Sequence, residues 1–225
     1  MIHNRLDRLR KGLDEKDVDA VLISRPENIY YLSGFDGTAG FLLITKEDNI
    51  LATDFRYLEQ AERQAAGFKI FKTTGEMEDW LPRLINGLSV KNIGFEDSHL
   101  SFSTYNRLVN ILTNLKPRIS LVPLDGLLNF HRAVKEPQEI ELIARAVALA
   151  DAAIDYFIDI AEPGVTELGA AWEIEKYLRE NGSQSLPFGI IVASGPNSAL
   201  PHAKPAERKI KRGEPVLIDL GAKVQ

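Results

Sequence analysis

The chain has 225 residues, of which 44% are hydrophobic and 26% charged, a balance that excludes disordered and fibrous classes. Its 27 Lys and Arg stand against 32 Asp and Glu, a formal net charge of −5, so no basic excess supports phosphate-driven nucleic-acid binding. Cys is absent, which excludes disulfides, Cys-ligated zinc and a thiol nucleophile, and fits a reducing compartment.

The N-terminus, MIHNRLDRLRKGLDEKD, is charged throughout and does not read as a signal peptide. The longest apolar runs, such as FGIIVA, are too short to cross a bilayer. A soluble, cytoplasmic protein with no membrane partner is expected. Ile2, Leu6, Leu9 and Leu13 mark one face of an amphipathic helix. AVLIS follows as a short buried strand, and GFLLIT and ILATD flank the polar turn KEDN as a hairpin. RYLEQAERQAAG predicts a helix that stops at Gly67, a C-terminal cap. FKIFKT alternates strictly and predicts a strand, residues 76–88 a helix, and NIGFED a strand. SFSTYNRLVNILTNL predicts a helix capped by Ser101 or Ser103, and ISLVP another strand. Tyr30, Tyr31 and Phe35 read as core packing, and Asp54 and Arg56 as a local pair beside Tyr57. GFDGTAG has neither dinucleotide nor P-loop spacing and reads as a tight turn into a strand. Strands alternating with helices predict a layered α/β domain with a mixed sheet over residues 1–125.

A second domain is expected over residues 126–225. It opens with a short helical piece, and Pro137 then starts a long helix. Ile140, Ile143, Ala144, Val147, Ala150, Ile154, Phe157 and Ile158 lie at the spacing of an apolar stripe. Asp151, Asp155 and Asp159 share a helical face, read as solvated rather than as a cation site. Thr166 can cap a second helix that closes at Asn181-Gly182. PFGIIVASG and PVLIDLGA predict two buried strands, the second entered after the turn KRGE.

Two polar features interrupt this apolar half. His202 stands in ASGPNSALPHAKP, a turn-rich segment stiffened by Pro196, Pro201 and Pro205, where an imidazole can be aimed or can simply face solvent. Asp219 stands in VLIDLGA, on the strand face opposite Val216, Ile218 and Leu220. A carboxylate enclosed in an apolar strand costs several kcal/mol unless it is paired or bound to a metal, which makes Asp219 a site candidate. The other reading is a strand-end Asp bonding the turn at Gly221.

FGIIVASGPNSALPHAKP followed by RKIKRGEPVLIDLGA resembles the pita-bread metallopeptidases, the Xaa-Pro aminopeptidases and Xaa-Pro dipeptidases, or prolidases. RAVKEPQEIELIARA resembles the start of that family's catalytic domain, and NIYYLSGFDGTAGFLLIT and LATDFRYLEQA its creatinase/prolidase N-terminal domain. The resemblance implies a mixed-sheet α/β domain followed by the first part of a pita-bread α/β catalytic domain. It also implies a dinuclear centre of manganese, cobalt or zinc held by two Asp, one His and two Glu. By motif match Asp219 takes the place of the first Asp, and His202 that of a metal-free His beside the scissile bond. The implied substrates are proline-containing di- or oligopeptides, and a homodimer is expected. A metal-bridging hydroxide suits the tertiary amide before proline, and a nearby His can protonate the departing nitrogen.

The sequence stops at Gln225, and the positions of the other four ligands lie further on in the family pattern. The remaining His3, His99 and His131 do not match the missing His. The expectation is therefore an N-terminal fragment of a longer peptidase that by itself binds no metal and is inactive. The other expectations are a peptide- or protein-binding module on the same scaffold and a metal-free creatinase-like hydrolase. Dipeptidase and aminopeptidase are not distinguished by these motifs.

Overall fold

The computed structural model describes residues 2–124 and 126–224. They divide into two compact units, one through Val134 and one from Lys135.

In the first unit the apolar spacing of α1 (Ile2–Glu15) buries Leu6, Leu9 and Leu13. β1 (Ala20–Ile23) is buried at every position, and α2 (Pro26–Ser33) ends at Gly34, whose φ of 80° is the left-handed cap that favours glycine. β2 (Phe41–Thr45) and β3 (Asn49–Thr53) form the expected antiparallel hairpin. A short 3-10 turn over Phe55–Tyr57 leads into α3 (Leu58–Gln64), with Arg56 on Asp54 at 2.7 Å. β4 (Lys69–Lys72), α4 (Met77–Ile85), β5 (Asn92–Phe95), α5 (Phe102–Thr113) and β6 (Ser120–Pro123) follow. Ser101 caps α5 by accepting from the Thr104 N–H, while Glu76 and Asp79 form a capping box on α4.

The sheet order is β4-β3-β2-β1-β5-β6, antiparallel across β3-β2-β1 and parallel in the other pairs. Its pleat sends Val21, Ile23, Leu42 and Ile44 to one face, against Leu6, Leu9, Leu32 and Phe35. Ala20, Leu22, Leu43 and Ile93 face the other way, against Trp80, Leu84, Leu108 and Leu112. Helices thus cover both faces, and a strand buried on both faces loses its polar alternation. That corrects the strict alternation expected of FKIFKT: in β4, Ile70 packs into one core and Phe71 into the other, leaving the end residues Lys69 and Lys72 exposed. The helix expected to end at Gly67 stops earlier, capped at Ala65, and Gly67 is not among the left-handed glycines.

α6 (Leu127–Ala133) packs Leu127 and Leu128 into the first core, so the division between units falls after it rather than near residue 125. In the second unit, Pro137 stands at the start of α7 (Pro137–Ile160), where Glu136 and Glu139 form a capping box. Thr166 caps α8 (Glu167–Glu180), which buries Ala170, Ile174 and Leu178 at successive steps of one turn. β7 (Ile191–Ser194) and β8 (Val216–Asp219) pair with each other in a two-stranded antiparallel sheet. Their apolar face meets Phe157, Ile174 and Leu178. The Tyr156 and Tyr177 rings stack at 4.6 Å, holding α7 on α8.

Two expectations for α7 separate here. Asp151, Asp155 and Asp159 are exposed, as a solvated face requires. The apolar stripe is only partly a core, because Phe157 is buried while Ile140, Ile143, Val147 and Ile158 are 49–65% exposed. Helical spacing identifies an apolar face, and only packing decides how much of it is covered. Among the described residues no helix is long and apolar enough to cross a membrane.

Candidate functional site

The chemistry-bearing segments of the second unit lie at the two ends of the β7–β8 pair. Asp219 ends β8 directly opposite Ile191, at the start of β7. β7 runs to Ser194 and opens into a loop that begins with a 3-10 turn over Gly195–Ala199 and reaches His202 in the turn after it. Gly195 has a φ of 48°, and a Cβ there would lie 2.6 Å from Arg208 Nη2 and 2.8 Å from Glu214 Oε1, so the position requires glycine. Ala203 is buried beside the exposed His202 and anchors the tip of the loop.

Both predicted site residues are exposed. For Asp219 this corrects the expectation of an enclosed carboxylate: Val216, Ile218 and Leu220 pack inward, while Leu217 and Asp219 face outward. The strand-end alternative fares no better, since no hydrogen bond to the Asp219 carboxylate occurs among the described residues. His202 and Asp219 are not joined by a hydrogen bond or ion pair. Among the described residues no group of three or more His, Asp or Glu is arranged to hold a metal ion. One exposed carboxylate does not make a dinuclear centre, so these residues alone do not fit the implied pair of ions.

No local pattern signals the polar hub that holds this loop. Glu167, the first residue of α8, is 0% exposed, yet donors surround its carboxylate. Oε1 accepts from Ser194 N–H at 2.7 Å and from Ser194 Oγ at 2.8 Å. Asn197 Nδ2 donates to both oxygens, at 3.1 and 3.0 Å, and Ala206 N–H donates to Oε2 at 3.3 Å. Burial pushes the Glu167 pKa up, but the bonds from Ser194, Asn197 and Ala206 outweigh it, and the net shift is downward. Arg208 Nη1 donates to Ser194 Oγ at 2.5 Å, and Arg208 Nη2 pairs with Glu214 at 2.6 Å. In the sequence, a Glu after a capping Thr signals a helix start favoured by the dipole, which conceals the buried role.

The first unit holds a second polar cluster where the parallel strands β1 and β5 end, a common ligand position in open α/β sheets. Glu96 Oε2 accepts from Ser24 N–H at 2.7 Å and Arg25 N–H at 2.8 Å, and Glu96 Oε1 accepts from Asn28. Ser24 Oγ lies 2.9 Å from His99 Nδ1. The cavity beside Glu96 has about 20 Å³ free, room for little more than one water, so the cluster ties α2 to β5 rather than opening a site.

Fold and motifs together define a chain of two α/β units. Residues 5–134 match the creatinase/prolidase N-terminal domain, and residues 141–225 match metallopeptidase family M24. The chain belongs to the creatinase/prolidase family, whose N-terminal domain matches more than half of it. It is similar to the solved Xaa-Pro dipeptidase from Bacillus anthracis, with 35% identity and a TM-score of 0.89 over 99% of this chain and 61% of that one. The X-Pro aminopeptidase from Thermotoga maritima is 30% identical, with a TM-score of 0.85 over 97% of this chain and 61% of that one. The uncharacterized peptidase YqhT from Bacillus subtilis is 32% identical over 97% of this chain and 61% of its own length. The chain thus spans about three-fifths of the length of these relatives.

Proposed function

We propose that the chain carries the N-terminal domain and the first part of the catalytic domain of a metal-dependent peptidase that cleaves the bond before proline in di- or oligopeptides. The similarity to an Xaa-Pro dipeptidase and an X-Pro aminopeptidase supports this substrate class. The observation that carries it is the pairing of β7 with β8, which sets Asp219 opposite the start of the strand leading to the His202 loop.

In this proposal His202 acts on the leaving group. The nitrogen of an Xaa-Pro bond has no N–H and must gain a proton to depart, and an imidazole on a clamped loop can deliver one. Asp219 is one ligand of a set for two divalent ions, manganese, cobalt or zinc, completed by residues outside the described ones. Its solvent-facing position leaves the carboxylate open to such a partner. A homodimer and a cytoplasmic location belong to the same proposal. A monomer mass for the intact protein in sedimentation would refute the dimer.

The test is Xaa-Pro turnover by the intact gene product. Thorough chelation and Asp219→Ala each abolish it, divalent metal restores the chelated protein, and His202→Ala lowers kcat. In this chain alone Asp219→Ala changes stability by no more than about 0.5 kcal/mol, because the carboxylate is exposed. Turnover that survives chelation would point to a metal-free creatinase-like hydrolase. Peptide binding without turnover would point to a binding module.

A further inference from the structure

Glu167 grips both ends of the segment that carries His202. Its carboxylate holds Ser194, just before the loop, Asn197 within it and Ala206 at its far end. The backbone repeats the grip, with Glu167 N–H donating to Arg208 O at 3.0 Å and Leu168 N–H to Ala206 O at 3.0 Å. Between these anchors the chain folds on itself: Ser198 Oγ donates to Gly195 O at 2.7 Å, Leu200 N–H to Asn197 O at 3.0 Å, and Ala203 N–H to Leu200 O at 3.2 Å. A compact loop with its ends pinned together presents its tip in one orientation, and His202 is at that tip.

We infer that Glu167 is the positioning residue for His202, a buried ionised acceptor that sets the loop over residues 195–206 in its working conformation. This rests on the proposal that His202 serves the leaving group. The requirement is for two acceptor oxygens and not merely for volume. The Ser194 and Ala206 amides and the Asn197 side-chain amide all donate, and the Ser194 hydroxyl donates to Glu167 because it accepts from Arg208. Glu167→Gln keeps the shape but turns an NH2 group toward a donor whichever way the amide lies. A residue that only filled space would tolerate that change.

The experiment measures kcat and KM for an Xaa-Pro peptide with the intact gene product carrying Glu167→Gln, His202→Ala or both. Asn197→Ala serves as a milder variant should Glu167→Gln fail to fold. The expected result is a fall in kcat of about 10- to 100-fold for Glu167→Gln with KM little changed, since small misplacements of a catalytic group cost this much. In the His202→Ala background the same substitution changes kcat by less than about twofold, as residues acting through one group are not additive. Amide exchange at Leu200 and Ala203 quickens in Glu167→Gln and in Asn197→Ala. A full Glu167→Gln effect in the His202→Ala background, or wild-type kcat in Glu167→Gln, overturns the inference. Wild-type turnover by His202→Ala overturns the role of His202 itself, and loop exchange then reports whether the clamp is structural alone.

Discussion

Replacing Ser194 by Ala removes one oxygen from the centre of the second unit and tests the energetic weight of its polar hub. Ser194 is 0% exposed, and its Oγ bridges two charges, donating to Glu167 at 2.8 Å and accepting from Arg208 at 2.5 Å. A hydrogen bond to a charged group contributes about 1.5–3 kcal/mol. Glu167 keeps its bonds from Ser194 N–H, Asn197 and Ala206, and Arg208 keeps Glu214, so the loss falls below the sum of two such bonds. The expected destabilisation is about 2–3 kcal/mol, which speeds exchange through unfolding of this unit by roughly 30- to 150-fold. Native-state amide exchange reads it directly, because Val192 and Ile174 lie in the second core and Val21 and Leu43 in the first unit. The first pair should accelerate and the second should not. Acceleration of less than about twofold at Val192 would refute the energetic role assigned to the hub. Equal acceleration in both units would refute its confinement to the second.

The downward shift at Glu167 has a defined sign: stability is present above the ordinary Glu pKa of 4.5 and drains as pH falls through the lower folded value. Glu214, lowered by Arg208, acts in the same direction, so the second unit should weaken as pH falls below the ordinary Glu value of 4.5, and Glu167→Gln should reduce the slope without removing it. A flat profile in the wild-type chain would contradict this. In the first unit, Leu9→Ala should cost about 2–5 kcal/mol, read as a lower urea midpoint by the buried Trp80, and an unchanged midpoint would deny Leu9 its core role. Burial, and then the positive charge of Arg8, hold the His131 imidazole below its ordinary value of 6.5, so an NMR titration midpoint at or above 6.5 would contradict that environment.

Much of the fold can be read from local pattern. The stripe of Leu6, Leu9 and Leu13, the hairpin around KEDN, the caps at Ser101 and Thr166 and the helix start at Pro137 depend on neighbours within a turn or two, and the structure keeps them all. The motifs around His202 and Asp219 pointed to the metallopeptidase family in the same way, because a family signature is a local string. What the sequence could not tell is what lies against each face. β4 lost its alternation because helices cover both sides of the sheet, and α7 buries only part of its stripe because only part is packed. Asp219 faces outward although its strand is apolar, since the pleat sends its neighbours Ile218 and Leu220 inward. Glu167 is the clearest case. Its partners lie 27, 30 and 39 residues away along the chain, so no local spacing reveals a buried carboxylate there, and only the tertiary fold gathers enough donors to offset the cost of burying its charge.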